Sequence, residues 1–313
     1  MRPLLLPQTP SSVVMVRPHF FAPNPQTASD NAFQRSSSCA SPSEISGRAY
    51  EEVTRAAHIL KSHGVAVHLF EDQIQDRTPD SVFPNNWFST HAGGHVALYP
   101  MYSPNRRRER RADVIELLKA RYRVQDVIDY SGLEPDGLFL EGTGAMVLDH
   151  IDRVAYTVQS NRANPIALER FATHFNYEPM SFEAFDEKGN AVYHTNVLMC
   201  IGTAFAMVGF ELIPDAVRRT EIKTRLQNTG RNVIDLSAYQ IGEFAGNALE
   251  LNGSSGRILA ISSRALASLS SEQVEVIEKS ATIIPLQVPT IELAGGSVRC
   301  MLAGIHLCRR DEI

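Results

Sequence analysis

The 313-residue chain is predicted to fold as a cyclic α/β assembly of five repeated units. Three observations carry that prediction. A hairpin-like segment recurs five times, with starts roughly 50 residues apart. Between recurrences the apolar period changes from strand-like to helix-like. No low-complexity linker interrupts the series, and a unit that cannot bury its own face must stack on its neighbours. Length alone is enough for about two average domains, so two separate domains remain the alternative. The repeat favours one domain over 1–313, with 1–12 loosely attached.

In chain order, VVMVRP (13–18) reads as a strand and 22–46, rich in Ser, Pro and Asn, as a loop. Over 45–63, Val53, Ala56, Ala57 and Leu60 follow helical spacing, with Gly64 as the stop. The run AVHLFE supplies another strand. The first unit, NNWFSTHAGGHVALYP from Asn85, turns at Gly93-Gly94. A helix is expected over 106–121, burying Ile115, Leu118 and Tyr122. The second unit, EGTGAMVLDHIDRVAYTV, starts at Glu141, and the stripe Leu168, Phe171, Ala172 and Phe175 marks a helix over 163–175. The third, HTNVLMCIGTAFAMVGF, starts at His194. Pro214 is expected to open the helix that follows it, with Glu221 and Arg225 spaced for an i, i+4 pair. The fourth, GNALELNGSSGRILAIS from Gly246, turns between Gly253 and Gly256. Ser270 with Gln273 reads as a capping box and Leu269 with Val274 as its staple. TIIPLQV (282–288) is a strand, and GGSVRCMLAGIHL from Gly295 is the fifth unit, with a turn at Gly304.

Composition narrows the function classes. Apolar residues make up 43% and charged residues 21%, and net charge is −5, which argues against a nucleic-acid or membrane-surface binder. Four cysteines (Cys39, Cys200, Cys300, Cys308) form no CxxC pair, as expected in a reducing, cytoplasmic setting. MRPLLLPQTPSS holds one apolar triplet before Pro7, far short of a signal or spanning segment. The RRRERR run from Arg106 reads mainly as a solvated helix face.

Around a fivefold axis, the polar residues that open each hairpin converge at one end. These are Asn85 and Asn86, Glu141, His194 with Asn196, Asn247, and Cys300 slightly further along its unit. A thiol is nucleophilic as thiolate, an adjacent imidazolium lowers its pKa, and a carboxylate orients the imidazole. Spacing alone gives no signature for such a trio, and a Cys in this setting is more often a small buried hydrophobe. No His/Cys cluster has metal-ligand spacing, and neither Gly93-Gly94 nor Gly142-x-Gly144 is a phosphate loop. No metal or organic cofactor is expected.

The segments PDSVFPNNW (79–87), LEGTGAMVL (140–148), YHTNV (193–197) and GGSVRCM (295–301) resemble the guanidino-group-modifying superfamily. It includes arginine deiminases, dimethylarginine dimethylaminohydrolases and glycine amidinotransferases. The resemblance runs from Val13 to Leu307 with the motifs in the family's order. It implies a five-bladed α/β-propeller, the pentein fold. VVMVRPHFFAPNPQTASDNAFQ and PNNWFSTH look most like the citrulline utilization hydrolases. By the same resemblance Cys300 stands at the nucleophile, His194 at the general acid/base and Glu141 at the acid beside it. Asp80 stands where relatives hold a substrate α-amino group, and Arg106 and Arg162 where they bind the α-carboxylate. The tract 22–38 stands where a lid would lie.

Departures from the family bear on the substrate. Members acting on cationic guanidines carry acids where this chain has Asn85 and Asn86, and arginine deiminases carry one where it has Asn196. The second acid of an "EGGD" motif is replaced by Gly144. A guanidinium offers only donors and suits carboxylates, whereas a neutral ureido group offers both donors and an acceptor and suits amides. The expectation is a cysteine hydrolase of a free ureido amino acid, citrulline to ornithine, carbon dioxide and ammonia. The alternatives are an amidine hydrolase or amidinotransferase acting on arginine or methylarginine, and a propeller that only binds an amino acid. The partner expected is a small amino acid, with no nucleic acid or membrane; a homo-oligomer stays open.

Overall fold

Strand β1 (Ser12–Arg17), helix α1 (Pro42–Ser62) and strand β2 (Ala66–Glu71) form a parallel crossover, with Ser12 opposite Ala66. They belong to a computed structural model that describes residues 7–35, 41–73, 75 and 77–310. Strands β3 (Phe88–His91) and β4 (His95–Leu98) make the first hairpin, then α2 (Ala112–Arg121) crosses to β5 (Asp126–Asp129). A single turn, α3 (Gly142–Ala145), leads into β6 (Met146–Asp149), β7 (Val154–Val158), α4 (Pro165–Phe175) and β8 (Glu178–Phe182). The next blade runs α5 (Thr195–Leu198), β9 (Met199–Ile201), β10 (Phe205–Val208), α6 (Ala216–Asn228) and β11 (Asn232–Asp235). After α7 (Ala238–Gly242) come β12 (Leu249–Gly253), β13 (Gly256–Ser262), α8 (Ser263–Ser268), α9 (Ser271–Glu278) and β14 (Thr282–Leu286). Last are α10 (Val298–Met301) and β15 (Ala303–Gly304).

The strands sort into five three-stranded sheets, β3-β4-β5, β6-β7-β8, β9-β10-β11, β12-β13-β14 and β15-β1-β2. Each has an antiparallel inner pair and a parallel outer pair. Antiparallel strands need only a short turn, whereas the parallel pair needs a crossover long enough for a helix. That requirement explains the alternation of hairpin and helix in the sequence. The result is a five-bladed α/β-propeller with pseudo-fivefold symmetry. The blade closing the ring is built from both chain ends, since β15 pairs with β1 through Val13 and Gly304.

Several local expectations need correction. The turn at Gly304 does not form, because the N-terminal β1 takes the place of a second hairpin strand. Residues 8–10 are buried rather than loosely attached: Gln8 Nε2 donates to the carbonyls of Leu148 (2.9 Å) and Ile201 (3.2 Å). The helix expected over 106–121 starts at Ala112, and Pro104–Glu109 is a separate 3-10 segment. Its arginines are not a free solvated face, since Arg107 and Arg110 both pair with Glu134. Helix α6 is capped by Asp215, which places Pro214 outside it, and Arg225 reaches Asp152 and Glu178 instead of Glu221.

The apolar core lies between the sheets and the outer helices. Helix α1 begins at a Ser41–Glu44 capping box and buries Ala49, Val53, Ala56, Ala57 and Leu60 in one cluster with Val13, Met15 and Leu286. Each fully buried aliphatic side chain of this kind contributes roughly 1.5–3 kcal/mol. Neighbouring blades are also joined by a buried bidentate pair, Arg231 to Asp149 at 2.6 and 3.0 Å. The ring thus holds the short segments that open the blades in fixed register at its axis.

Candidate active site

Those opening segments share a local design, in which a polar residue precedes one helical turn and the inner strand follows it. Glu141 and His194 precede α3 and α5, while Asn196 lies within α5 and Cys300 within α10. Pro84–Asn86 forms a 3-10 turn at the same place in its blade. Close approach at the axis needs glycine. A Cβ on Gly142, whose φ is +48°, would meet the Asn85 carbonyl oxygen at 2.5 Å. A Cβ on Gly144 would collide with the Asn86 amide and meet His194 Nδ1 at 2.8 Å. Gly144 therefore makes room for two site residues where an acid would not fit without displacing them.

Asp80, Asn86, Arg106, Arg162, His194 and Cys300 line one small cavity, together with Thr27, Asn31, Phe83 and Tyr193. Glu141 is fully buried just behind it. Its Oε2 lies 2.9 Å from His194 Nε2, and its Oε1 accepts from the Tyr102 amide at 3.0 Å. Burial pushes this carboxyl up, but Arg162, then the His194 hydrogen bond, outweigh it and hold it down at about 2. Burial drives His194 down to about 4 despite Glu141. The resting imidazole is neutral, with Nε2–H facing the carboxylate and Nδ1 left as an acceptor.

Cys300 Sγ accepts from two amides, Asn196 Nδ2 and Asn247 Nδ2, each at 3.2 Å. Asn247 Oδ1 in turn accepts from the Ser297 amide at 3.1 Å, which fixes the Asn247 side chain. Burial raises the Cys300 thiol above its ordinary value, and the Asn247 hydrogen bond offsets only part of that. The resting pair is therefore thiol and neutral imidazole, a protonation state the sequence leaves open.

The two arginines are engaged. Arg106 grips Glu109 with Nε and Nη2, both at 2.9 Å, and donates from Nη1 to Asn86 Oδ1 at 2.8 Å. Asp80 Oδ2 lies 3.6 Å from Arg106 and accepts from Asn24 Nδ2 at 2.7 Å. Arg162 grips Asp30 bidentately, stacks 4.7 Å over the Tyr193 ring, and lies 3.6 Å from Glu141. Residues 22–35 cover the cavity: Asn31 donates to the Ala294 carbonyl at 3.0 Å, and the Arg35 amide to Leu293. Positions 36–38 of the expected lid lie outside the described residues, as does Cys39.

The structure brings together the residues singled out in the sequence, with Glu141 and Asn196 held just behind the cavity lining by their contacts to His194 and Cys300. Asn85 is buried beside Asn86 but does not line the cavity, and its Nδ2 has no partner among the described residues. Sequence reading missed Glu109, Asp30 and Asn24, the partners of Arg106, Arg162 and Asp80. Glu109 sits three residues from Arg106 and was hidden in a charge run. Asp30 and Asn24 carry no local signal, because only the tertiary path of 22–35 brings them in. Among the described residues no group of three or more His, Cys, Asp or Glu is placed to hold a metal ion, and no helix is long and apolar enough to cross a membrane.

Residues 17–307 match the family described as N,N dimethylarginine dimethylhydrolase, eukaryotic. No curated protein sequence matches the chain. Among solved structures, the N-terminal domain of ArgZ, a cyanobacterial arginine dihydrolase, bound to substrate, superposes with TM-score 0.70 at 18% identity, covering 94% of this chain and 97% of that one. Unliganded AgrE gives TM-score 0.73 at 19% identity over 96% of this chain, which spans 40% of AgrE. The enzyme DDAH from Pseudomonas aeruginosa, complexed with citrulline, gives 0.63 at 13% identity, covering 96% and 99%. At these identities the likeness establishes the fold.

Proposed function

The chain belongs to the eukaryotic N,N dimethylarginine dimethylhydrolase family, within the guanidino-group-modifying superfamily of C–N hydrolases, and from that premise we propose that it hydrolyses free citrulline to ornithine, carbon dioxide and ammonia. One observation carries the choice of substrate. The side chains that hydrogen-bond Cys300 Sγ are amides, Asn196 and Asn247, and Asp80 is the one carboxylate among the described residues lining the cavity. A neutral ureido group finds donors and acceptors there without leaving a buried carboxylate unpaired.

Asp80 receives the substrate α-ammonium. Arg162 receives the α-carboxylate once Asp30 releases it, and Arg106 holds Asp80 and Asn86 in place. His194 Nδ1 takes the thiol proton, and Cys300 Sγ adds to the ureido carbon. The C–N bond to the ornithine side chain breaks as the imidazolium returns that proton to the departing amine, leaving an S-carbamoyl cysteine. Water then loses a proton to His194 and attacks the same carbon, and the C–S bond breaks with reprotonation of sulfur. The carbamate released decomposes to carbon dioxide and ammonia. Covalent catalysis of this kind divides one hard displacement into two easier ones.

A second reading, a guanidino substrate such as arginine or a methylated arginine, is favoured by the resting protonation of the pair. A raised thiol beside a neutral imidazole ionises more readily when a cation enters. Product analysis by mass spectrometry separates the two. Ornithine from citrulline, with arginine inert, supports the first reading; citrulline from arginine or dimethylarginine, with citrulline itself inert, overturns it. Cys300→Ser should abolish turnover and keep ligand binding.

A further inference from the structure

A second cavity lies on the propeller axis and shares no lining residue with the first. It is lined by residues of all five inner strands, β3, β6, β9, β12 and β15. Arg299, on α10 next to Cys300, also lines it. Its guanidinium donates to the Leu302 carbonyl at 3.1 Å, and among the described residues it has no carboxylate partner. Burial lowers its pKa. The side chain is half-buried, and a guanidinium with no protein counter-charge among the described residues, facing a cavity, is free to take an anion there.

The other polar lining groups narrow what that anion is. Gln8 spends its amide donors on two carbonyls, Thr90 Oγ1 donates to Gly304 at 3.1 Å, and Thr143 Oγ1 donates to Asn85 at 3.3 Å. His306 stacks on His150 with ring centroids 3.9 Å apart, while His150 Nδ1 is taken by the Tyr177 hydroxyl at 2.8 Å. The His306 ring makes no hydrogen bond among the described residues. Burial drives it down to about 4 and His150 well below its ordinary value, so both are neutral. The remaining donors are those of Arg299, the His306 ring and, where the Tyr177 hydroxyl donates to Nδ1, His150 Nε2. A planar guanidinium fork with one neighbouring ring N–H fits an acceptor-only ligand with two or three oxygens.

We propose that Arg299 and His306 form a binding site for a small oxyanion in the axial cavity, separate from the cavity that Cys300 lines. The test uses the full chain, titrated in separate arms with inorganic phosphate, bicarbonate and acetate, with chloride at matched ionic strength as control. In the arm that matches the site, the thermal midpoint rises with the logarithm of ligand concentration, as for any ligand that binds only the folded state. The arms separate an inorganic oxyanion from a carboxylate. Arg299→Gln should abolish the shift, and His306→Phe, which keeps the stack but removes the donor, should weaken binding about tenfold, the loss of one charge-assisted hydrogen bond. Should Arg299→Gln fail to fold, the wild-type His306 Hε1 resonance serves instead, its titration midpoint moving upward in saturating ligand. No saturable shift in any arm, a shift that survives Arg299→Gln, or a His306 titration indifferent to ligand overturns the assignment.

Discussion

Glu141 Oε2 sits 2.9 Å from His194 Nε2, and this contact links the two titrations. Burial pulls the imidazole down and Glu141 pulls it up. Removing the carboxylate leaves only burial and the nearby arginines, so His194 falls further below about 4 and becomes a weaker base for the Cys300 proton. Glu141→Gln should lower kcat by about 10²-fold or more, within the range for a general acid–base step, with a smaller effect on KM. Steady-state kinetics with citrulline checks this; an unchanged kcat removes His194 from the proton path.

Asn196 bears directly on substrate choice. Its Nδ2 donates to Cys300 Sγ, while its Oδ1 has no partner among the described residues. Asn196→Asp replaces that amide by a carboxylate, which repels the thiolate and attracts a cation. Turnover of citrulline should fall at least tenfold, and the ratio of kcat/KM for arginine over citrulline should rise by at least tenfold. Competition assays with both amino acids measure the ratio. A ratio that does not move means the ligand's reacting end is read elsewhere.

The axial convergence was legible because period-2 and period-3.6 runs alternate with a regular repeat, and each repeat opens on a polar residue. That was enough to place Glu141, His194, Asn196 and Cys300 at one end of the ring. The protonation states were not legible, since an ionised pair and a neutral pair carry the same letters and only burial decides between them. The partners Asp30 and Asn24 were hidden for a different reason: they sit in a loop whose path over the cavity depends on long-range contacts such as Asn31 with Ala294. Closure of the last blade by β1 escaped notice because GGSVRCMLAGIHL has the form of a hairpin while its partner strand lies at the other end of the chain.

His306 also contributes a pH-dependent stability term. Its folded value near 4 lies below the ordinary 6.5 because burial penalises the cation. The unfolded chain therefore binds more protons between those values, so this contribution is complete above about pH 6.5 and is lost as pH falls toward 4. A shift of this size corresponds to roughly 3 kcal/mol. Relative to His306→Phe, the wild type should lose stability by about that amount between pH 7 and pH 4. Urea unfolding of both proteins across the range measures the difference, and parallel pH curves would sink the prediction.

Asp30 holds Arg162 through the same two-point grip that a substrate carboxylate would need. If Arg162 receives the α-carboxylate, binding must first break that pair, and the cost appears in KM and not in the chemical step. A charge-assisted pair of this kind is worth roughly 1.5–3 kcal/mol. Asp30→Asn keeps the shape of the side chain but removes its charge, so KM for citrulline should fall about tenfold while kcat stays within about twofold. The Arg162→Lys variant, which cannot reproduce the planar fork, should raise KM, and adding Asp30→Asn to it should recover little. A higher KM in Asp30→Asn alone would mean that Asp30 remains in the loaded site as a ligand for the α-ammonium, and the assumed exchange at Arg162 would then be wrong.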